Sequence, residues 1–499
     1  MTGMPDLGVR RGRGRPPHLT RFLLLLAAIL LCHAQPPDIV LTGTFSGSDN
    51  HTYREVPFKV PAGTGRITIE LSYSGRDQRT VIDLGLFDPE RFRGWGGGKQ
   101  GAVSLSETDA TPSYLPGPIR AGRWKLLLGV PNIRPGVRSD FTAKIYFERS
   151  GAAPAVSTFS SAPLRAGPAW YRGDLHLHTG HSDGSCISQS GQTVPCPAFK
   201  IVSAAADRHL DFIAVTDHNS TSHYGALREL QPYFDRLLII PGREITTFEG
   251  HANVFGTTEF IDFRAGSASV PTMNDVFRQV EKLHALISVN HPNDPTGEEC
   301  MGCRWLAANA DLSRVQAVEA VNGGNAEGPL AGIPFWEAQL NRGIHLTGIG
   351  GSDTHNPDDK SRAGVGYPTT VVQAAELSER RILEGIRAGN VFIDVEGRPD
   401  RLLEMTAASV GATVEMGGTL KAPMGATIHV SVHATQLNGA ITEVIQDGRT
   451  VSPLSEPAIK AADFRQSFDM AADGGRHWIR VNIRNREGRL LIVGNPIYW

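Results

Sequence analysis

Fifteen residues constrain this chain more than any others: Trp170-Tyr171-Arg172-Gly173-Asp174-Leu175-His176-Leu177-His178-Thr179-Gly180-His181-Ser182-Asp183-Gly184. Successive side chains of a strand point to opposite faces, so His176 and His178 face one way while Leu175 and Leu177 face the other. Two imidazoles so placed at a strand end can grip one metal ion. The glycines then release the chain into a loop, and Asp183 lies within reach of a second ion. An isolated H-x-H says little. Here His and carboxylate residues follow one predicted strand after another.

From Trp170 to about Val395 short apolar runs alternate with helical ones. Asp211–Thr216, Leu237–Ile240, Ala252–Phe255, Leu286–Val289, Ala317–Val321, Leu346–Ile349 and Asn390–Asp394 read as buried strands. Phe199–His209, Met273–His284 and Phe335–Arg342 read as helices, and a further helix is capped by Ser378 and closed by Gly389. Repeated βα units of this size predict an α/β fold with a parallel sheet closed into a barrel, functional groups gathering at the C-terminal ends of its strands.

The flanks have a different texture. Residues 38–150 alternate apolar and polar positions between many Gly and Pro breakers, as in Ile67, Ile69, Leu71 and Tyr73, and predict a β-sandwich. Residues 151–168 form a linker, 169–396 the barrel, and 397–499 a second β-sandwich. Residues 1–34 read as a signal peptide: five arginines precede the apolar run Phe22–Cys32, which is too short to span a bilayer and ends in Cys32-His33-Ala34. Cleavage after Ala34 predicts a secreted or periplasmic protein with no transmembrane span. Without those five arginines and Asp6, the chain keeps 44 basic and 50 acidic side chains, a formal charge of −6. No basic stripe remains to serve as a nucleic-acid footprint, and nothing in the sequence sets the oligomeric state.

The polar groups falling just after the predicted barrel strands are His176, His178 and Asp183; Asp217 and His218; Glu244 and His251; His291; Glu319 and Asn322; and Asp353 and His355. This mixture of imidazole and carboxylate suits two or three divalent ions such as zinc, manganese or iron. His181, His209, His223, His284 and His345 fall outside the pattern and read as structural.

His176-x-His178 with Ser182-Asp183-Gly184, then Thr216-Asp217-His218, Gly242-x-Glu244, His291-Pro292 and Ser352-Asp353-Thr354-His355, resemble the motifs of the PHP (polymerase and histidinol phosphatase) superfamily, most of all its CehA/McbA-type metallohydrolases. The resemblance covers residues 170–395. It implies a distorted (β/α)7 barrel with a first ion on His176, His178, Glu244 and Asp353. A second ion would share Glu244 and add His251 and His291, and a third would use Asp183, His218 and His355. Asp217, beside a ligand, is expected to orient it or move a proton, and completes a catalytic set with Asp353 and His355. Arg243, Arg304 and Asn322 are the candidate substrate contacts.

The activity so implied is hydrolysis of a small-molecule phosphoester by a metal-bridging hydroxide. A carbamate or carboxylic ester hydrolase is the runner-up, because the same ligands serve both. A catalytically silent cell-surface binding protein is the third reading. Export also bears on Cys186, Cys196, Cys300 and Cys303. In an oxidising compartment Cys186–Cys196 and Cys300–Cys303 are expected to pair and pin two loops of the active-site rim.

Overall fold

A computed structural model describes residues 36–96, 102–149, 159–160, 162–297, 300, 302–358 and 364–499. The expected signal segment and residues 151–158 of the expected linker lie outside these. Among the described residues no helix is long and apolar enough to cross a membrane.

The N-terminal alternation forms two four-stranded antiparallel sheets. One runs Ile39–Ser46, Arg138–Arg149, Thr64–Tyr73, Ala102–Ser106; the other runs Thr52–Val60, Gly122–Asn132, Val81–Phe87, Phe92–Gly96. Their inward positions share one core around Phe45, Ile67, Ile69, Trp124 and Leu126, all fully buried. This region is tied to the rest by charge. The buried Asp109 carboxylate accepts from Arg228 of the helix His223–Leu230 and from Arg66, at 3.3 Å.

The middle of the chain is not a (β/α)7 barrel. Strands Arg165–Asp174, Phe212–Val215 and Leu238–Thr247 are parallel, and so are Leu286–Val289, Ala317–Asn322 and Thr347–Gly351. Between these groups the direction reverses. Leu238–Thr247 turns through Phe248 and Glu249 into Gly250–Phe255, an antiparallel hairpin in which Thr247 faces Gly250. Thr369–Leu377 runs antiparallel to both Arg165–Asp174 and Val391–Asp394. Val391–Asp394 then pairs with Leu490–Gly494, so the sheet carries on into the C-terminal region as one 14-stranded mixed sheet. Only five α-helices, Ala198–Asp207, His223–Leu230, Met273–Lys282, Ile333–Asn341 and Glu379–Arg387, occur among the described residues. Apolar runs reveal strands but not their direction, and a two-residue hairpin needs no crossover helix where a parallel pair does.

The C-terminal layer is likewise shared with the long sheet. A four-stranded sheet (Ala412–Glu415, Leu402–Ser409, Thr427–Thr435, Asp463–Ala471) packs on strands such as Trp478–Arg484 and Leu490–Gly494 around Leu403, Val430, Ile479 and Ile492.

Backbone bonds bring the two ends of the central stretch together at the H-x-H segment. Asp353 N donates to His176 O (2.9 Å) and His178 N to Thr354 O (3.1 Å). Asp174, fully buried, accepts from the backbone N–H groups of His176, Ser352 and Gly366 at 2.7–3.2 Å. Gly351 makes the approach possible, since a Cβ there would sit 2.5 Å from both Glu319 Oε1 and His176 Cβ.

Candidate metal centre

Every sequence-assigned ligand reaches one contiguous cluster, and Glu244 sits at its middle. Glu244 lies within the strand Leu238–Thr247 and is fully buried. Its Oε2 lies 2.8 Å from His218 Nδ1, 3.4 Å from His176 Nε2 and 3.6 Å from His178 Nε2. Its Oε1 lies 3.3 Å from both His251 Nδ1 and His291 Nε2. Asp353 Oδ1 completes the first group, 3.3 Å from His176 Nε2 and 3.0 Å from His178 Nε2. Asp353 holds a left-handed backbone (φ 53°), as does His291 (φ 23°), so both ligands leave their strand ends on strained turns. The third group is more open. Asp183 Oδ2 lies 3.6 Å from His218 Nε2 and 3.4 Å from His355 Nε2. Around an ion with bonds near 2.1 Å, neighbouring donor atoms stand about 3.0–3.4 Å apart, close to the 3.0–3.6 Å spacing of these groups.

Charge and hydrogen bonding agree with that spacing. Burial opposes charge on His176, yet Asp353, Glu319 and Glu244 hold its pKa well above the ordinary imidazole value. His291 and His355 are likewise raised to about 9 against burial, by Glu244 and by Asp183 respectively. Burial works against Glu244 and Asp353 too, but the surrounding imidazoles hold both carboxyls well below their usual range. His178, where burial prevails, falls to about 4. Raised imidazoles facing depressed carboxylates are two sets of groups that hold each other's charge. His176 Nε2, fully buried, has no hydrogen-bond partner among the described residues. Such an atom is costly to bury unless something binds it.

Other residues hold these ligands in position. Glu319 Oε1 meets His176 Nδ1 at 2.6 Å, while its Oε2 accepts from His291 N (3.1 Å) and Asn322 Nδ2 (3.0 Å). A carboxylate only accepts, so Nδ1 carries the proton and Nε2 is turned to the cluster. Asn290 Nδ2 donates to Glu244 Oε1 (2.8 Å), and Thr246 Oγ1 meets His218 Nδ1 (2.6 Å). The sequence marks Glu319 as a strand-end acid without giving it this role. Asp174 and Asn290 adjoin the motifs and were not singled out.

The remaining predicted groups fall differently. Asn322 reaches the cluster, its Nδ2 3.4 Å from Asp353 Oδ2. Asp217 is buried and clamps the loop after the H-x-H strand, accepting from Thr179 N, Thr179 Oγ1 and Ser182 Oγ, each at 2.7 Å. His223, read as structural, lies 3.7 Å behind it and bonds Gly242 O at 2.9 Å. Arg243 precedes Glu244 in the same strand and so points to the opposite face, where it is 1% exposed and donates to Glu259 O (2.9 Å). Arg304 is exposed on the loop after Cys303.

Access is set by exposure. His176, His178 and Glu244 side chains are wholly buried, whereas those of Asp183 and His355 are 57% and 38% exposed. Solvent therefore meets the Asp183 side first.

The expected Cys186–Cys196 bond is not formed. Both are buried free thiols, with the Cys196 side chain lying against that of Cys186. Burial and the adjacent Cys186 push the Cys196 thiol up. Cys300 and Cys303 are joined.

No protein-family model and no curated protein matches this chain. Among solved structures, one match is a two-domain protein from Bacteroides vulgatus containing a predicted PHP-like metal-dependent phosphoesterase. It shares 18% identity at a TM-score of 0.37, over 70% of this chain and 99% of that one. Another, from Bifidobacterium adolescentis, is described as a candidate metal-dependent phosphoesterase. It shares 15% identity at a TM-score of 0.30, over 43% of this chain and 95% of that one. Likeness at this level assigns neither fold nor chemistry; the His, Asp and Glu groups that could hold metal stand on their own geometry.

Proposed function

We propose that this chain is an exported, metal-dependent phosphoesterase of the PHP type. The observation that carries the reading is Glu244, whose Oε2 faces His176, His178 and His218 and whose Oε1 faces His251 and His291, at 2.8–3.6 Å. A buried carboxylate so surrounded is suited to bridge two ions. His176, His178, Glu244 and Asp353 would hold the first ion, and Glu244, His251 and His291 the second. Asp183, His218 and His355 would hold a third at the solvent side.

Bound there, divalent ions supply an acidified water nucleophile and neutralise charge developing on phosphoryl oxygens. The chain's own groups do the positioning. Glu319 fixes the His176 tautomer, Asp217 holds the Thr179–Ser182 loop in place, and Asn322 presents an amide next to Asp353. His355, half-exposed at the mouth, places the third group of donors where solvent reaches it. Arg304 lies on the nearby surface to meet an anionic substrate. The arginine-rich, apolar N-terminus supports export with cleavage after Ala34.

The test is a panel of nitrophenyl phosphate mono- and diesters with naphthyl carbamates, assayed on the full chain. Phosphoester turnover is expected, abolished by chelation and restored by zinc, manganese or iron. Turnover confined to carbamates or carboxylic esters would move the same site to that reaction class. No turnover of any substrate by metal-loaded protein would contradict the hydrolase reading.

A further inference from the structure

The loop carrying Cys300 and Cys303 reaches into the metal cluster. Cys303 Sγ and one ring nitrogen each of His251 and His291 lie within 4.8 Å of one another. Cys303 is 3% exposed, and its partner Cys300 is half-buried. The loop does not depend on the disulfide alone for its place. Trp305 N donates to Pro292 O (3.1 Å), and Leu306 N and Ala307 N both donate to Glu249 O. Gly302, at φ +82°, lies so close to the hairpin that a Cβ would come within 2.0 Å of Thr247 O. Opening the disulfide would leave Cys303 where it is. His291 Nδ1, buried, has no hydrogen-bond partner among the described residues.

Building on the metal-centre reading, we propose that Cys303 is a redox-conditional ligand: masked while bonded to Cys300, and a thiolate donor to the His251–His291 ion once the disulfide is reduced. The exposures set the course of the reaction. An external thiolate attacks the more accessible Cys300 Sγ, the S–S bond breaks, and its electron pair leaves on Cys303 Sγ as thiolate. A second external thiolate then attacks the mixed disulfide, giving Cys300 thiol and the oxidised external disulfide. Imidazole, carboxylate and thiolate together suit zinc or cobalt, and a further protein donor closes a position that a catalytic ion keeps open. Oxidising conditions thus leave the ion open to substrate, and reduction caps it.

Cobalt-loaded full-length protein tests this spectroscopically. The Cys300→Ser variant, with Cys303 permanently free, is expected to show a thiolate-to-cobalt charge-transfer band without reductant. It should also retain cobalt roughly 10-fold more tightly than the disulfide form, the lower end of what changes around a metal site achieve. Wild type should gain the band on treatment with dithiothreitol, and Cys303→Ser should lack it throughout. The comparison is made in a Cys32→Ser, Cys186→Ser, Cys196→Ser background to remove the other thiols. Cobalt bound without any sulfur band in either reduced wild type or Cys300→Ser overturns this inference alone. No cobalt bound by any form overturns it together with the metal-centre reading.

Discussion

Glu244→Ala is expected to lower hydrolysis far more than Asp183→Ala at saturating metal. Asp183 serves the outer group only, with a side chain 57% exposed, and losses confined to one ion typically cost about 10–100-fold. Glu244 faces His176, His178 and His218 through one oxygen and His251 and His291 through the other. Its removal takes a donor from two ions at once and leaves His251 and His291 without the carboxylate they face. The loss should exceed 100-fold, beyond that one-ion range, with the metal content falling alongside kcat. Glu244→Gln keeps the shape and should behave alike, because the amide lacks the charge and one of the two acceptors. Similar rates for the Glu244 and Asp183 variants would contradict the bridging role.

The second large effect belongs to a residue that touches no proposed ion. Glu319→Ala strands three donors that its carboxylate now satisfies: His176 Nδ1, His291 N and Asn322 Nδ2, at 2.6, 3.1 and 3.0 Å. With Nδ1 released, His176 can shift its proton to Nε2 and lose the lone pair aimed at the first ion. Metal affinity should fall by about 10–100-fold, read by competition with a chromogenic chelator, while kcat at saturating metal recovers in large part. Buried donors left unmet cost about 1–3 kcal/mol each, so the metal-free variant should also melt earlier. Unchanged affinity for both ions would remove Glu319 from the positioning role.

Much of the site was legible in the sequence because ligand chemistry is local: H-x-H on a strand and Ser352-Asp353-Thr354-His355 after another declare their donors by spacing alone. Direction was not legible. Leu237–Ile240 and Ala252–Phe255 read as two strands of a barrel, but only the turn at Phe248 and Glu249 shows that they form a hairpin. The partner of Val391–Asp394 lies about a hundred residues on, at Leu490–Gly494, and no local pattern announces it. Arg243 is a different case. It is odd where Glu244 is even, and strand alternation alone places the two side chains on opposite faces. Glu319 stood out as a strand-end acid, but its role needed the fold to set it against His176. Cys303 needed the loop to pack on Thr247 and Glu249 before it met two histidines.

Elemental analysis of the purified full-length chain bears most directly on the metal centre. Two or more equivalents of divalent transition metal per chain are expected, with hydrolysis lost on chelation and regained on re-addition. Less than one equivalent in protein that remains active would contradict the account.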